Sequence, residues 1–83
     1  MPEASNRRAE LQSMVQQRLI GHKEIVQVHG FYCDEANRKL SVDVVPDVSV
    51  HDEAALMHSL TDEIQSLVPD MEVTIVVDHN YSD

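Results

Sequence analysis

The sequence predicts one small α+β domain with the element order helix, strand, strand, helix, strand. Three observations favour this class. Two segments carry apolar residues at helical spacing, and others alternate apolar with polar residues as strands do. The length is the third observation, because 83 residues suffice for one hydrophobic core and not for two.

The first helix follows a polar lead-in, which we assign to residues 1–8, and the domain itself then covers residues 9–83. From about Arg8 the apolar positions fall one helical turn apart, and Gly21 ends the helix. The positions that define this stripe are Leu11, Met14, Val15 and Leu19.

A β-hairpin is predicted next. Residues 24–33 are rich in β-branched and aromatic side chains, which is typical of a strand. Residues 34–38 form a tight polar connection. Leu40, Val42 and Val44 then alternate with polar residues, the pattern of a strand with one buried face.

A second helix is predicted near residues 50–68, with Ser49 as its N-cap and Asp52 completing a capping box. Pro69 stops it, and a last strand runs over residues 73–78. The helix's apolar stripe consists of Ala54, Met57, Leu60, Ile64, Leu67 and Val68.

A hairpin followed by a crossover helix and a third strand is a split βαβ unit, with both helices on one face of the sheet. The other face is left open. We expect Val45 and Val76 there, with either Ile25 or Phe31. An exposed apolar patch on so small a body indicates a partner.

The distribution of charge limits the class of partner. All six Lys and Arg residues lie in the first 39 positions, whereas residues 41–83 hold ten Asp and Glu and no base. Such a surface repels the phosphates of nucleic acids and attracts cations. Acidic residues also keep small domains soluble, so charge alone leaves that alternative open.

Known catalytic patterns are missing, and we predict a protein that is not an enzyme. Two glycines make no phosphate-binding loop, and no nucleophile elbow occurs. Cys33 has no neighbour in sequence that would lower its pKa, and as a lone thiol it suits a reducing compartment. An acylphosphatase-like hydrolase would need an arginine cradle, which the acidic half does not offer.

The histidines and carboxylates predict a metal site. Imidazole nitrogen and carboxylate oxygen are ligands for Zn²⁺ and related divalent ions. His29, Asp43 and Asp78 lie in or at the end of the three predicted strands, although the sequence leaves open whether they share a face. His58, which stands four residues before Asp62 on a helix, is a secondary candidate, as are His51 and His79. For each histidine the alternative is a solvated or hydrogen-bonded side chain.

Two stretches carry a family resemblance. VHGFYCDEANRKLSVDVV at residues 28–45 and PDMEVTIVVDHNYSD at the end resemble the cytoplasmic C-terminal domain of cation diffusion facilitator transporters. The most specific pieces are the His29 to Tyr32 segment, the last strand ending in Asp78, and Tyr81-Ser82-Asp83 behind it. The likeness covers nearly the whole chain.

The resemblance implies a ferredoxin-like, metallochaperone-like open-faced sandwich that forms a homodimer on the cytoplasmic side of a membrane. It also implies metal ligands at His29, Asp78 and on or near Asp43. The family's histidine two residues before the last carboxylate is Val76 here, and its second-helix histidine falls on Ala54 or Ala55. The chain therefore departs from the family's ligand set at these positions.

The leading hypothesis is a regulatory and dimerisation domain of a divalent-metal efflux transporter, which binds zinc, or else iron or manganese. The transmembrane domain of the same transporter would be its partner, together with a second copy. The alternatives are a purely structural dimerisation module and a stand-alone metal-binding protein.

Overall fold

Two helices and three strands follow one another in the predicted order. The computed structural model describes residues 3–79, with side chains from Arg7 onward. The elements are α1 (Glu3–Ile20), β1 (Ile25–Asp34), β2 (Lys39–Pro46), α2 (Glu53–Leu67) and β3 (Glu72–Val77). Tyr81 to Asp83, which contribute to the family resemblance, lie outside the described residues.

The strands form one mixed sheet in the order β1-β2-β3. β1 and β2 pair antiparallel as a hairpin, and β3 pairs parallel with β2 after the crossover through α2. A parallel neighbour requires such a crossover, because the chain must return to the end of the sheet at which the preceding strand began. The predicted α+β class and split βαβ unit are confirmed.

The hydrophobic core lies between the sheet and the two helices. β2 contributes Leu40, Val42 and Val44, which are almost completely buried. The helices cover them with the fully buried apolar positions of α1 and α2: Val15, Leu19, Leu60 and Ile64. Both helices therefore pack on one face of the sheet, as the split βαβ arrangement predicted.

The opposite face of the sheet carries mostly polar side chains, and the expectations for its apolar residues were met only in part. Val76 is 44% exposed there, as predicted. Val45 is buried instead, and Ile25 belongs to the helix-side core. Phe31 also packs against that core, because an irregular register between His29 and Tyr32 changes which residues of β1 face the helices.

Both helices begin at other residues than predicted. α1 begins at Glu3 rather than near Arg8, since no breaker separates the polar lead-in from the apolar stripe. α2 begins at Glu53, and its N-cap is Asp52, which accepts a hydrogen bond from the Ala55 amide at 3.0 Å. The predicted cap, Ser49, bonds to Asp47 instead.

The connection from α2 to β3 is held by one side chain. The Gln65 amide nitrogen donates to the carbonyls of Val68 and Met71, and its oxygen accepts from the Val73 amide at 3.3 Å. This half-buried amide thus bonds to backbone groups of the helix end, the turn and the first part of β3. Within residues 3–79, neither helix is long and apolar enough to cross a membrane.

Candidate metal-binding site

The strand register places the three main candidate residues on the open face of the sheet. His29 lies directly opposite Asp43 in the antiparallel pair, and Asp43 lies beside Val76 in the parallel pair. Residues directly opposite each other point to the same side of a sheet. His29 and Asp43 therefore share the face that the helices leave uncovered, a point that the sequence left open.

Asp78 joins this face from the end of β3. Its backbone amide donates to the Val44 carbonyl at 2.8 Å, so the parallel pairing extends past Val77. Its carboxylate Oδ2 lies 3.1 Å from Nε2 of His29, with both side chains partly exposed. The structure thus brings the first and last strands together through an imidazole and a carboxylate, across the middle strand.

Gly30 shapes the surface beside this pair. It has a positive φ of 68°, a left-handed conformation that glycine adopts without strain. The Asp43 carboxylate lies directly against its Cα, so that a Cβ built on Gly30 would be 2.8 Å from Oδ2 of Asp43. Asp43 is half-buried in this position.

The secondary candidates do not join the three strand residues. His58 lies 3.6 Å from Asp62 on the exposed side of α2, with both side chains largely in solvent. His51 is exposed in the loop before α2. His79 turns to Glu53, whose two carboxylate oxygens lie 2.8 and 2.9 Å from its Nε2.

Sequence reasoning missed two histidine–carboxylate pairs because their partners are distant in the chain. Glu53 meets His79 only when β3 returns beside the start of α2. Glu63 lies 2.8 Å from Nε2 of His22 and 3.1 Å from Nη1 of Arg18. No local spacing signals contacts of this kind, which depend on how the helices pack.

The electrostatics of Glu63 follow from that contact. Partial burial disfavours the charged carboxylate, but the hydrogen bonds and positive charge of Arg18 and His22 outweigh it. The pKa of Glu63 is therefore lowered. This network joins the end of α1 to α2 and lies on the helix side of the molecule, apart from the open face.

Throughout the described part of the chain, no three His, Cys, Asp or Glu side chains are grouped so that they could hold a metal ion as they stand. The open face instead presents one formed pair, His29 with Asp78, and one carboxylate, Asp43, on the adjacent strand. Two ligands of this kind give a partial site, since Zn²⁺ usually takes three or four.

Comparison with solved structures gives one clear similarity. The chain superimposes on the metal-bound C-terminal domain of the CzcD transporter from Cuprividus metallidurans with a TM-score of 0.67, covering 81% of this chain and 96% of that one. The chain has the fold of that domain. The sequences are 21% identical, so the likeness concerns the fold. No protein-family model and no curated protein matches the sequence.

The matched structure is a C-terminal domain of a transporter, the kind of domain that the family resemblance names. The resemblance rested on the sequence around His29 and Asp78, whereas the superposition rests on the fold. The fold predicted from the resemblance, an open-faced α+β sandwich, is confirmed.

Proposed function

We propose that this chain is a cytoplasmic, regulatory C-terminal domain of a divalent-cation efflux transporter. The observation that carries the proposal is the His29–Asp78 pair on the open face, beside Asp43, in a chain with the fold of a metal-bound transporter domain. The ions it would bind are zinc, iron or manganese.

The chemistry of the donors fits such ions. His29 offers an imidazole nitrogen, and Asp43 and Asp78 offer carboxylate oxygens. Zn²⁺, Fe²⁺ and Mn²⁺ all accept this combination, whereas a site for a soft ion such as Cu⁺ would need thiolate or thioether ligands. A divalent ion would also neutralise the two carboxylates, in a half of the chain that holds no Lys or Arg after residue 40.

The same face supports pairing with a second copy. Val76 and Tyr32 are both exposed on it, at 44% and 54%. A sheet face on which exposed apolar and aromatic side chains stand among polar ones can serve as a protein interface, because aromatic residues are enriched at such contacts. We therefore place the homodimer contact on this face, with the metal ligands within or beside it.

Regulation would follow from linkage. A cation that binds one arrangement of the dimer more tightly than another shifts the population by that difference in affinity. The attached transmembrane domain would then respond to the cytoplasmic cation concentration, although the domain itself moves no ion.

Calorimetric titration of the purified chain with Zn²⁺, Mn²⁺ and Fe²⁺, with small-angle scattering at each step, tests this proposal. We expect heat of binding and a more compact dimer with at least one ion. His29→Ala and Asp78→Ala should each weaken binding by about tenfold or more, because each removes one donor to the ion, and tenfold corresponds to about 1.4 kcal/mol.

His58→Ala is the matched control, because His58 lies in solvent on the far side of α2 and should leave binding unchanged. A dimer that ignores all three ions at millimolar concentration would favour the purely structural module. Binding without dimerisation would favour a stand-alone metal-binding protein.

A further inference from the structure

The side chains of His29 and Asp43 turn in opposite directions along β1. The two residues lie opposite each other. His29 reaches to Asp78, which lies beyond the Val44–Val77 pair and hence toward the beginning of β1. Asp43 instead lies against Gly30, toward the end of β1. This divergence explains why three ligands on one face are not grouped around a single point.

Gly30 makes the position of Asp43 possible. A Cβ on Gly30 would lie 2.8 Å from Oδ2 and 2.9 Å from Cγ of Asp43, closer than Cβ atoms approach other atoms in real structures. The bare Cα therefore provides the space in which the carboxylate lies. Any other residue at position 30 would compete for that space.

The carboxylate is not anchored by polar contacts in this position. Among the described residues, no hydrogen bond or ion pair joins it to another group. An aspartate side chain has three staggered orientations about χ1, separated by small barriers. Asp43 can therefore leave Gly30 without breaking a directional contact.

We infer that the space at Gly30 accommodates the Asp43 carboxylate apart from the His29–Asp78 pair, and that Asp43 must leave Gly30 before all three side chains bind one cation. The inference rests on the proposed function. Gly30 is then a positioning residue: it sets the position from which the cation must draw Asp43 to complete the site. The apparent affinity for the cation is the intrinsic affinity multiplied by the fraction of molecules in which Asp43 is already free to ligate.

Nuclear magnetic resonance of the unmodified protein tests this directly. The Hα–Hβ and N–Hβ scalar couplings of Asp43, which report its χ1 rotamer, should change between the cation-free protein and saturating Zn²⁺, because the carboxylate leaves Gly30 by rotation about χ1. An unchanged Asp43 rotamer at saturation would overturn the inference. This measurement needs no variant and so cannot fail through misfolding.

A substitution gives an independent test. Gly30→Ala removes the space beside Asp43, so the competing arrangement disappears and Zn²⁺ affinity should rise roughly two- to tenfold. In an Asp43→Ala background, which has no carboxylate to displace, the same change should leave affinity unaltered. An unchanged or weaker affinity in the single variant, with wild type binding normally, would overturn the inference.

Gly21→Ala is the matched control, because a Cβ on Gly21 would make only ordinary van der Waals contacts, at 3.4 Å or more from backbone oxygens, and Gly21 has no left-handed φ. It should leave Zn²⁺ affinity at the wild-type value. The melting temperature of Gly30→Ala without cation separates the two proposals. If wild type binds no cation, the proposed function fails, and so does the part of the inference that concerns cation binding.

Even then, melting temperatures test whether Gly30 and Asp43 are in contact. Gly30→Ala should lower the melting temperature more in wild type than in an Asp43→Ala background, where the clash is relieved. Equal losses in both backgrounds would show that only the left-handed φ matters and would overturn the contact on which the inference depends.

Discussion

Nε2 of His22 lies 2.8 Å from Oε1 of Glu63, and this contact ties the loop after α1 to the middle of α2. Arg18 holds the other carboxylate oxygen of Glu63 at 3.1 Å. One carboxylate thus joins two elements far apart in sequence. Since a folded state with these contacts favours the ionised carboxylate, the pair makes stability depend on pH.

Acid should weaken this contact in a defined direction. The pKa of Glu63 is lowered in the folded state, so its stabilisation is complete above the unfolded value near 4.3 and is lost as pH falls through the folded pKa. Glu63→Gln should lose about 0.2–1 kcal/mol at pH 7. Its stability should fall less steeply than that of wild type below about pH 4.3.

Urea unfolding at several pH values between neutrality and acid measures this difference. Asp62→Asn is the matched control, since Asp62 is its neighbour on α2 but lies largely in solvent beside His58. Parallel pH profiles for wild type and Glu63→Gln would contradict the prediction. The other carboxylates titrate in both proteins, so the difference between them isolates Glu63.

We expect the side chain of Gln65 to stabilise the folded protein by bridging the turn between α2 and β3. It bonds to three backbone groups, those of Val68, Met71 and Val73. Gln65→Ala leaves these half-buried groups without that partner, which costs about 1–3 kcal/mol. Gln12→Ala, on the exposed side of α1, should cost less than about 0.5 kcal/mol. Thermal unfolding of both variants gives the comparison, and equal effects would contradict the prediction.

The start of α2 offers a test of its cap. Asp52 accepts from the Ala55 amide, so Asp52→Ala should destabilise the protein by about 0.5–2 kcal/mol. Ser49→Ala removes a hydroxyl outside the helix and should cost less than about 0.5 kcal/mol. Chemical denaturation of the two variants decides which residue is the cap. A larger loss for Ser49→Ala would restore the cap predicted from sequence.

The sequence was sufficient for the order of elements and for most of the core. Alternation in Leu40, Val42 and Val44 and the helical spacing of Leu60 and Ile64 report burial directly, because a side chain's direction follows from its position in a strand or helix. All five are buried in the structure. These patterns are local, so they can be recognised in the sequence without knowing which element each strand or helix packs against.

The arrangement of the candidate site was beyond such reasoning. Whether His29 faces Asp43 depends on the hairpin register, which contains irregularities on either side of the segment from Gln27 to His29. One extra residue in a strand moves every later side chain to the other face. Phe31 was misjudged for the same reason, and Val45 is buried although its opposite partner, Gln27, is exposed.

The open face should lose its capacity to pair when its exposed valine is made polar. Val76 is exposed beside Asp43 on this face, and burying a valine side chain in an interface contributes about 1.5–3 kcal/mol. Val76→Ser should therefore weaken the proposed dimer by roughly tenfold or more, which corresponds to 1.4 kcal/mol. Sedimentation equilibrium over a range of concentrations measures the change.

Val48→Ser is the control for this prediction, because Val48 is the most exposed of the large apolar residues and lies in the loop after β2, outside the sheet. It should leave dimerisation unchanged. The loss of strand propensity at position 76 affects the monomer by less than about 1 kcal/mol, and thermal unfolding at low concentration measures that part separately. If both variants dimerise as wild type does, the contact between copies lies elsewhere than on the open face, and the metal ligands would have to act within one chain.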